Sequence, residues 1–540
     1  MLDCTMKYPV WLATAAVYQV YVSSFADSNH DGIGDLPGLI GKLDYIKALG
    51  CNTVWLNPVF VSPFRDGGYD IADFEHVDPR YGSDEDLRQL FSQAHQRGMR
   101  VLLDLVAGHV SDAHPWFLDS ASGIPGAYRD WFIWTDSVLD TGTKAHQFVV
   151  GHSQRDGCYM ANFFYHQPAL NYGWEDPDPA KPWQQSVDAR GPRAVRAALE
   201  GLMRHWLRAG CDGFRVDMAS SLVKSQSGTN EKGNRELWQG LRASLERDFP
   251  NCALVSEWSW PDKAIDAGFH LDFLIHFNQT PYLALTRPGF FPARIEDAIL
   301  HPNGKGDIRA FIDPLLQQLR LIDGRGLLSL PTGNHDFCRL AYGRSPADLR
   351  VAMVALLTLP GVPVVYYGDE IGMREVAGLP ATEGSYWRTG CRTPMQWDDS
   401  ANAGFSTAPA ERLYLPLDPE SDRPDVAGQE QQPTSLLHLV RRLLHLRHHL
   451  RHLGNCGTFQ VLHGEAGSPV LVWRRGTGSE TVLVVINPAG RNAAIDLALP
   501  GITQLDPLIN EGIAATCLSG GWRLDCGARG FALLIPRSPM

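Results

Sequence analysis

Residues 83–106, SDEDLRQLFSQAHQRGMRVLLDLV, hold the unit from which the fold is read. Ser83, with Asp86 three residues on, resembles a capping box with Asp in place of the usual Glu, and it opens an amphipathic run over 84–97. A short apolar run at 99–106 follows. The alternation recurs along the chain, with strands expected at 16–25, 53–59, 99–106, 211–218, 252–258, 271–277, 326–330 and 361–367. Helices are expected at 36–49, 84–97, 192–209, 235–249, 346–359 and 436–453. Eight strands alternating with helices predict an α/β fold, a closed parallel (β/α)8 barrel whose active site lies at the C-terminal ends of its strands.

Two segments depart from this rhythm. More than 80 residues separate the third strand from the helix at 192. They are rich in Trp, Tyr, His, Gly and Pro, which is too long for a loop and predicts an inserted lobe. From about Cys456 the pattern becomes alternating short runs at 470–474, 481–486 and 531–535, the mark of an antiparallel β-sandwich. The expected organisation is a barrel from 1–106 and 169–455, an inserted domain at 107–168 and a C-terminal domain at 456–540.

The 540 residues are 44% hydrophobic, ample for a large core, and 48 Lys+Arg against 60 Asp+Glu give a formal charge of −12. Such a surface does not attract nucleic acid or an anionic membrane, and a neutral small substrate fits it better. The ten cysteines are scattered singly with no C-x-x-C pair, which points to a reducing compartment. The apolar stretch 10–22 is broken by Tyr18, Gln19 and Tyr21 and reads as a strand, and no run reaches the length of a membrane span. A cytoplasmic location is expected. The basic run 441–452 carries Leu443, Leu444, Leu446 and Leu450 near helical spacing, so it reads as a barrel helix with a basic outer face.

The chemistry is expected where acids stand in apolar strand ends: Asp104 in VLLDLV, Asp217 in GFRVDM, Glu257 in ALVSEW and Asp336 in LPTGNHD. Buried carboxylates are costly unless paired or used. Two of them flanking a scissile acetal are what glycoside hydrolysis requires. Phosphoryl transfer also uses clustered acids, but no P-loop or kinase signature is present.

At this point nine segments, among them AVYQVYVSSFADSNHDGIGDLPGL, NPVFVSPFRDGGYDIADF, DLVAGHVSDAHPWF, GFRVDMA, GNHD and RTPMQWDDSANAGFS, stand in one order over nearly the whole length. The chain resembles the α-amylase superfamily, glycoside hydrolase family 13, and most its α-glucosidase, oligo-1,6-glucosidase and trehalose-synthase branches. The resemblance implies a retaining enzyme acting on short α-glucans or disaccharides from the non-reducing end, with transglycosylation, or alternatively an isomerase that re-attaches the bound glucose. An endo-acting amylase and a non-catalytic, transporter-associated relative are the remaining family alternatives. The second generally lacks the triad and carries a membrane span.

By matching motif, Asp217 is the implied nucleophile, Glu257 the acid and then base, and Asp336 the residue that holds the sugar hydroxyls. Arg215 is expected to keep Asp217 ionised, and burial is expected to raise Glu257. His109 and His335 are implied to bond the first sugar. Asp66 and Arg392 are implied to pair behind it, and Tyr69 to supply its platform. A pocket closed in this way implies attack from chain ends. Aromatic residues of the insertion (Trp116, Trp131, Trp134, Tyr159, Phe163, Phe164 and Tyr165) are expected to divide between core and sugar cleft.

The segment 27–35, DSNHDGIGD, offers oxygens at alternating positions, as the first half of a calcium loop does, but Gly38 stands where an EF-hand has its Glu. The resemblance implies a structural calcium, or magnesium, on Asp27, Asn29, Asp31, Asp35 and the Ile33 carbonyl, and no organic cofactor. Four positions depart from the family pattern. Gly108 replaces an Asn that ligates a second calcium, Ser221 a common His, and Ala169 a frequent Asp. Met218 is neither the Val associated with α-1,6 preference nor the small residue associated with α-1,4, so linkage stays open.

Overall fold

A computed structural model describes residues 8–228, 230–273, 280–289, 293–478 and 480–539. The eight expected strands form a closed parallel barrel: β1 (Val17–Val20), β2 (Thr53–Leu56), β3 (Arg100–Val106), β4 (Gly213–Asp217), β5 (Ala253–Ser256), β6 (Leu271–Phe273), β7 (Leu327–Pro331) and β8 (Val362–Tyr366), with β8 pairing back onto β1. Residues 274–277 of the expected sixth strand lie outside the described residues.

Alternation along each strand decides what faces the axis. Val17, Trp55, Leu102, Val255, Leu271, Phe273 and Val364 fill the interior in one apolar cluster. Two residues further along the same faces, the chain places Asp104, Asp217 and Glu257 at the C-terminal rim.

The helices cover the outside. Ser83 caps Asp84–Gln96 with a complete capping box, and Ser345 and Asp348 form a second one on Pro346–Thr358. The expected helix at 36–49 is two short ones, Leu36–Ile40 and Leu43–Leu49, parted at Gly41. The helix Arg309–Ile322, which precedes β7, carries Pro314 in its interior. The basic helix Leu436–His449 is not wholly outward-facing. Arg447 is buried and donates to the carbonyls of Leu357, Leu359 and Gly361, closing the end of the preceding barrel helix. No helix among the described residues is long and apolar enough to cross a membrane.

The insertion carries a hairpin, Gln147–Val150 with Cys158–Ala161, and rejoins the barrel through a bridge between His109 and Ala169. Phe117, Phe132, Trp134 and Tyr159 pack against one another, so most of its aromatics form its own core. The C-terminal domain is one continuous antiparallel sheet, including the long hairpin Gln504–Leu518 with Gly521–Arg537. The last strand pairs with Ala493–Ala498 through 521–526 and with Glu480–Ile486 through 531–534. The sheet thereby folds over a shared core that includes Val472, Val485, Leu497, Trp522 and Leu534.

Candidate active site

Three acids from three strand ends meet on one guanidinium. Arg215 Nη1 lies 2.8 Å from Asp104 Oδ1 and 2.9 Å from Asp217 Oδ1, and Nη2 lies 2.8 Å from Glu257 Oε2. All four side chains are buried. Asp104 also accepts from Trp55 Nε1 and from the Tyr69 hydroxyl, which makes it the anchor of the cluster and leaves Asp217 and Glu257 toward the cavity.

Asp217 and Glu257 both bind the Arg215 guanidinium, which holds the two carboxyls side by side at the cavity. Two carboxyls on the two nitrogens of one guanidinium suit the short spacing of retaining glycosidases better than the roughly 6.5–9.5 Å of inverting ones. Burial, together with the charge of Glu257, raises Asp217 above the usual carboxylate range, and Arg215 opposes this without overcoming it. Arg215 stands beside Asp217 and favours its ionised form, as expected, against burial and the neighbouring acids. One cation faces three acids, so the titrations of Asp217 and Glu257 are coupled. Met218, immediately after Asp217, is held at φ +44°, and its N–H donates to Glu257 Oε2 at 2.8 Å. This strained turn ties the two acids together through the backbone as well.

One wall of the cavity is built by a residue that the sequence reading missed. Arg388 bridges Asp66 (3.0 Å) and Asp336 (2.6 Å), and Gln167 donates to the other oxygen of Asp66 at 2.7 Å. Arg392, expected as the partner of Asp66, lies deeper: Nε donates to the His335 carbonyl, Nη2 stands 3.4 Å from Asp336, and the guanidinium covers the Tyr21 ring. The two arginines are four residues apart on the 3-10 turn Tyr386–Arg392, and only Arg388 lines the cavity.

Burial raises Asp66 to about 6, with Arg388 opposing. Arg388→Ala is expected to leave Asp66 and Asp336 without their shared cation and to cost roughly 3–5 kcal/mol in substrate binding or local stability. KM and Tm measured together check this, and an unchanged pair would refute the bridge.

Tyr69 stacks on His335 with the rings 5.2 Å apart and 6° from parallel. Burial lowers His335 well below its ordinary value, keeping it neutral, and Nδ1 lies 3.0 Å from Gln19 Nε2. His109 lines the wall, but both ring nitrogens have protein partners, the Tyr69 carbonyl and the Asn162 side chain. Phe163, Trp258 and Trp260 also line this cavity of about 410 Å³, at the small end of the roughly 300–1,000 Å³ typical of ligand sites. Of the insertion's aromatics, only Phe163 reaches it.

The 27–35 loop lies apart from this cavity's lining. Asp27 accepts the N–H groups of Asn29, His30 and Gly32 and the Ser406 hydroxyl. Asp35 accepts those of Ser28, Asn29 and Gly38, capping the helix at Leu36. Among the described residues no group of three His, Cys, Asp or Glu stands at metal-binding spacing. The hard oxygens suit calcium, and the N–H bonds to Asp27 and Asp35 fix the loop that carries them.

A family profile described as "Alpha amylase, catalytic domain" matches residues 19–455. The chain is 33% identical over 556 residues to a trehalose synthase/amylase of Mycobacterium tuberculosis, covering 93% of this chain and 86% of that one. It is 30% identical over 538 residues to an oligo-1,6-glucosidase of Parageobacillus thermoglucosidasius, covering 88% and 90%. Among solved structures it resembles a trehalulose synthase from Pseudomonas mesoacidophila at TM-score 0.79 and 25% identity, covering 98% and 99%.

Proposed function

The chain belongs to the α-amylase family of glycosidic enzymes, and from that premise we propose that it cleaves a terminal α-glucoside by double displacement in the pocket between Asp217 and Arg388. The observation that carries this reading is that Asp217 and Glu257, from adjacent strand ends, share one guanidinium at the cavity. Asp217 attacks the anomeric carbon as a proton passes from Glu257 to the departing oxygen. The bond to the aglycone breaks and a β-glucosyl ester forms. Glu257, now a base, takes the proton of an incoming hydroxyl, and that oxygen displaces Asp217 to restore the α configuration. Asp336 and His335 face the sugar hydroxyls, Tyr69 offers its ring, and the Asp66–Arg388 bridge closes the end.

If the incoming hydroxyl is water, the enzyme is an α-glucosidase. If it belongs to a sugar, the enzyme is a transferase, and if to the same departing sugar, an isomerase. The isomerase reading is favoured by the small cavity and by the trehalose synthases at 33% identity over 93% of the chain. Incubation with maltose, isomaltose, sucrose, trehalose and soluble starch, with all products identified, separates these outcomes. A pocket enzyme attacks starch slowly and without early loss of iodine staining. Rapid loss with mixed larger oligosaccharides would show an open cleft and refute the closed end.

We also propose calcium at the 27–35 loop as a stabiliser outside the chemistry. Asp27 and Asp35 can accept backbone N–H groups and ligate a cation together, since each carboxylate has about four lone-pair sites. Binding the native state alone, it stabilises the fold, so chelation should lower Tm and leave the turnover of surviving enzyme unchanged. Equal Tm with and without chelator, and no calcium by elemental analysis, would refute the site.

A further inference from the structure

Two positions that depart from the family pattern, Gly108 and Ser221, meet at the side chain of Asn162. Gly108 is absent from the positive-φ glycines, so its backbone does not require glycine. What it provides is space: a Cβ there would lie 2.7 Å from Asn162 Nδ2 and 3.4 Å from Ser221 Oγ. Asn162 comes from the inserted lobe, one residue past the strand Cys158–Ala161. Its Nδ2 stands 3.1 Å from His109 Nδ1 and 3.6 Å from Met218 Sδ, and its Oδ1 accepts from Ser221 Oγ at 3.4 Å. Ser221 Oγ is in turn 2.8 Å from the Met218 carbonyl. One amide therefore spans the lobe, the end of β3 and the turn after Asp217.

We propose that Asn162 is a positioning residue for the reaction, acting through His109 and the Asp217–Met218 turn, and that glycine stands at 108 to admit it. The inference rests on the α-glucoside reading of the same site. His109 Nε2 faces the Tyr69 carbonyl at 3.1 Å, which requires the proton there and leaves Nδ1 as the acceptor. The amide nitrogen of Asn162 is the donor that satisfies it. Burial lowers His109 to about 4, so the ring stays neutral and this tautomer holds across the neutral range. Without the donor, Nδ1 becomes an unsatisfied buried acceptor, and the ring is free to leave the carbonyl of the residue whose side chain is the platform. The loss falls on sugar binding first.

The test measures KM, kcat, Tm and calorimetric Kd for glucose in the wild type, Asn162→Ala, Asn162→Asp, Gly108→Ala and the double variant Gly108→Ala/Asn162→Ala. Asn162→Ala is expected to raise KM and Kd about 10-fold, with a smaller change in kcat. Gly108→Ala should do the same although it only adds a methyl, and the double variant should be no worse than either single, because both act through one amide. Asn162→Asp places a carboxylate against His109 Nδ1 and should introduce a titration of kcat/KM near neutrality.

KM and Kd unchanged in Asn162→Ala, with only Tm lowered, would overturn the proposal, as would losses that multiply in the double variant. Should Gly108→Ala fail to fold, the two Asn162 variants carry the decision. Wild-type turnover on the substrate panel reports on the α-glucoside reading alone, whereas the variant-to-wild-type ratios of glucose Kd report on Asn162.

Discussion

Replacing Asp217 with Asn or Glu257 with Gln is expected to lower turnover by at least about 10³-fold while leaving the fold intact, since each removes a covalent or proton-transfer step. The structure adds the reason folding should survive. Both acids share Arg215 with Asp104, three carboxyls against one cation, so neutralising one of them relieves repulsion and keeps an acceptor for the guanidinium. Tm should hold or rise, as is common when a strained catalytic group is replaced. Turnover within about tenfold of wild type in either variant would remove that residue from the chemistry.

The second large effect is expected at Arg215. Arg215→Ala leaves Asp104, Asp217 and Glu257 buried without their cation, at a cost of roughly 3–5 kcal/mol in stability, and turnover falls with it. Arg215→Lys should not rescue either property, because one ammonium cannot hold three carboxyls in the fork that Nη1 and Nη2 provide.

The pH dependence has a definite sign. Asp104 and Asp217 are raised by burial even with Arg215 opposing, and without it they rise further. The folded variant then binds more protons than the unfolded chain, so its stability falls as pH rises through the gap between the two states' values and recovers as pH is lowered. Measured as Tm from about pH 8 to about pH 5, the deficit of Arg215→Ala relative to wild type should shrink. A deficit that is constant or grows on acidification would contradict this.

These effects trace back to what was legible in the chain. The barrel could be read because its repeats are strongly patterned, and because Asp104, Asp217 and Glu257 interrupt runs that are otherwise apolar. Inward alternation from Leu102, Arg215 and Val255 then places them on one rim. Arg388 was not legible in its role: the turn Tyr386–Arg392 has no periodicity to say which of two arginines faces the cavity. An i, i+4 pair of cations beside a pocket acid is the signal that marks it. Asn162 left no trace either, since its partners His109 and Ser221 lie 53 and 59 residues away in sequence and nothing local links them. The net direction of the Asp217 shift was not legible for a similar reason, because the balance of one guanidinium against three acids depends on distances that only the fold fixes.

The most direct test of the account is proton NMR of the first product formed from an α-glucoside, recorded before mutarotation, with the anomeric signal assigned. Double displacement at Asp217 predicts that glucose, or the glucosyl unit it transfers, appears first as the α anomer. Initial appearance of the β anomer would mean a single displacement, and would contradict both the covalent intermediate and the pairing of Asp217 with Glu257 as nucleophile and acid.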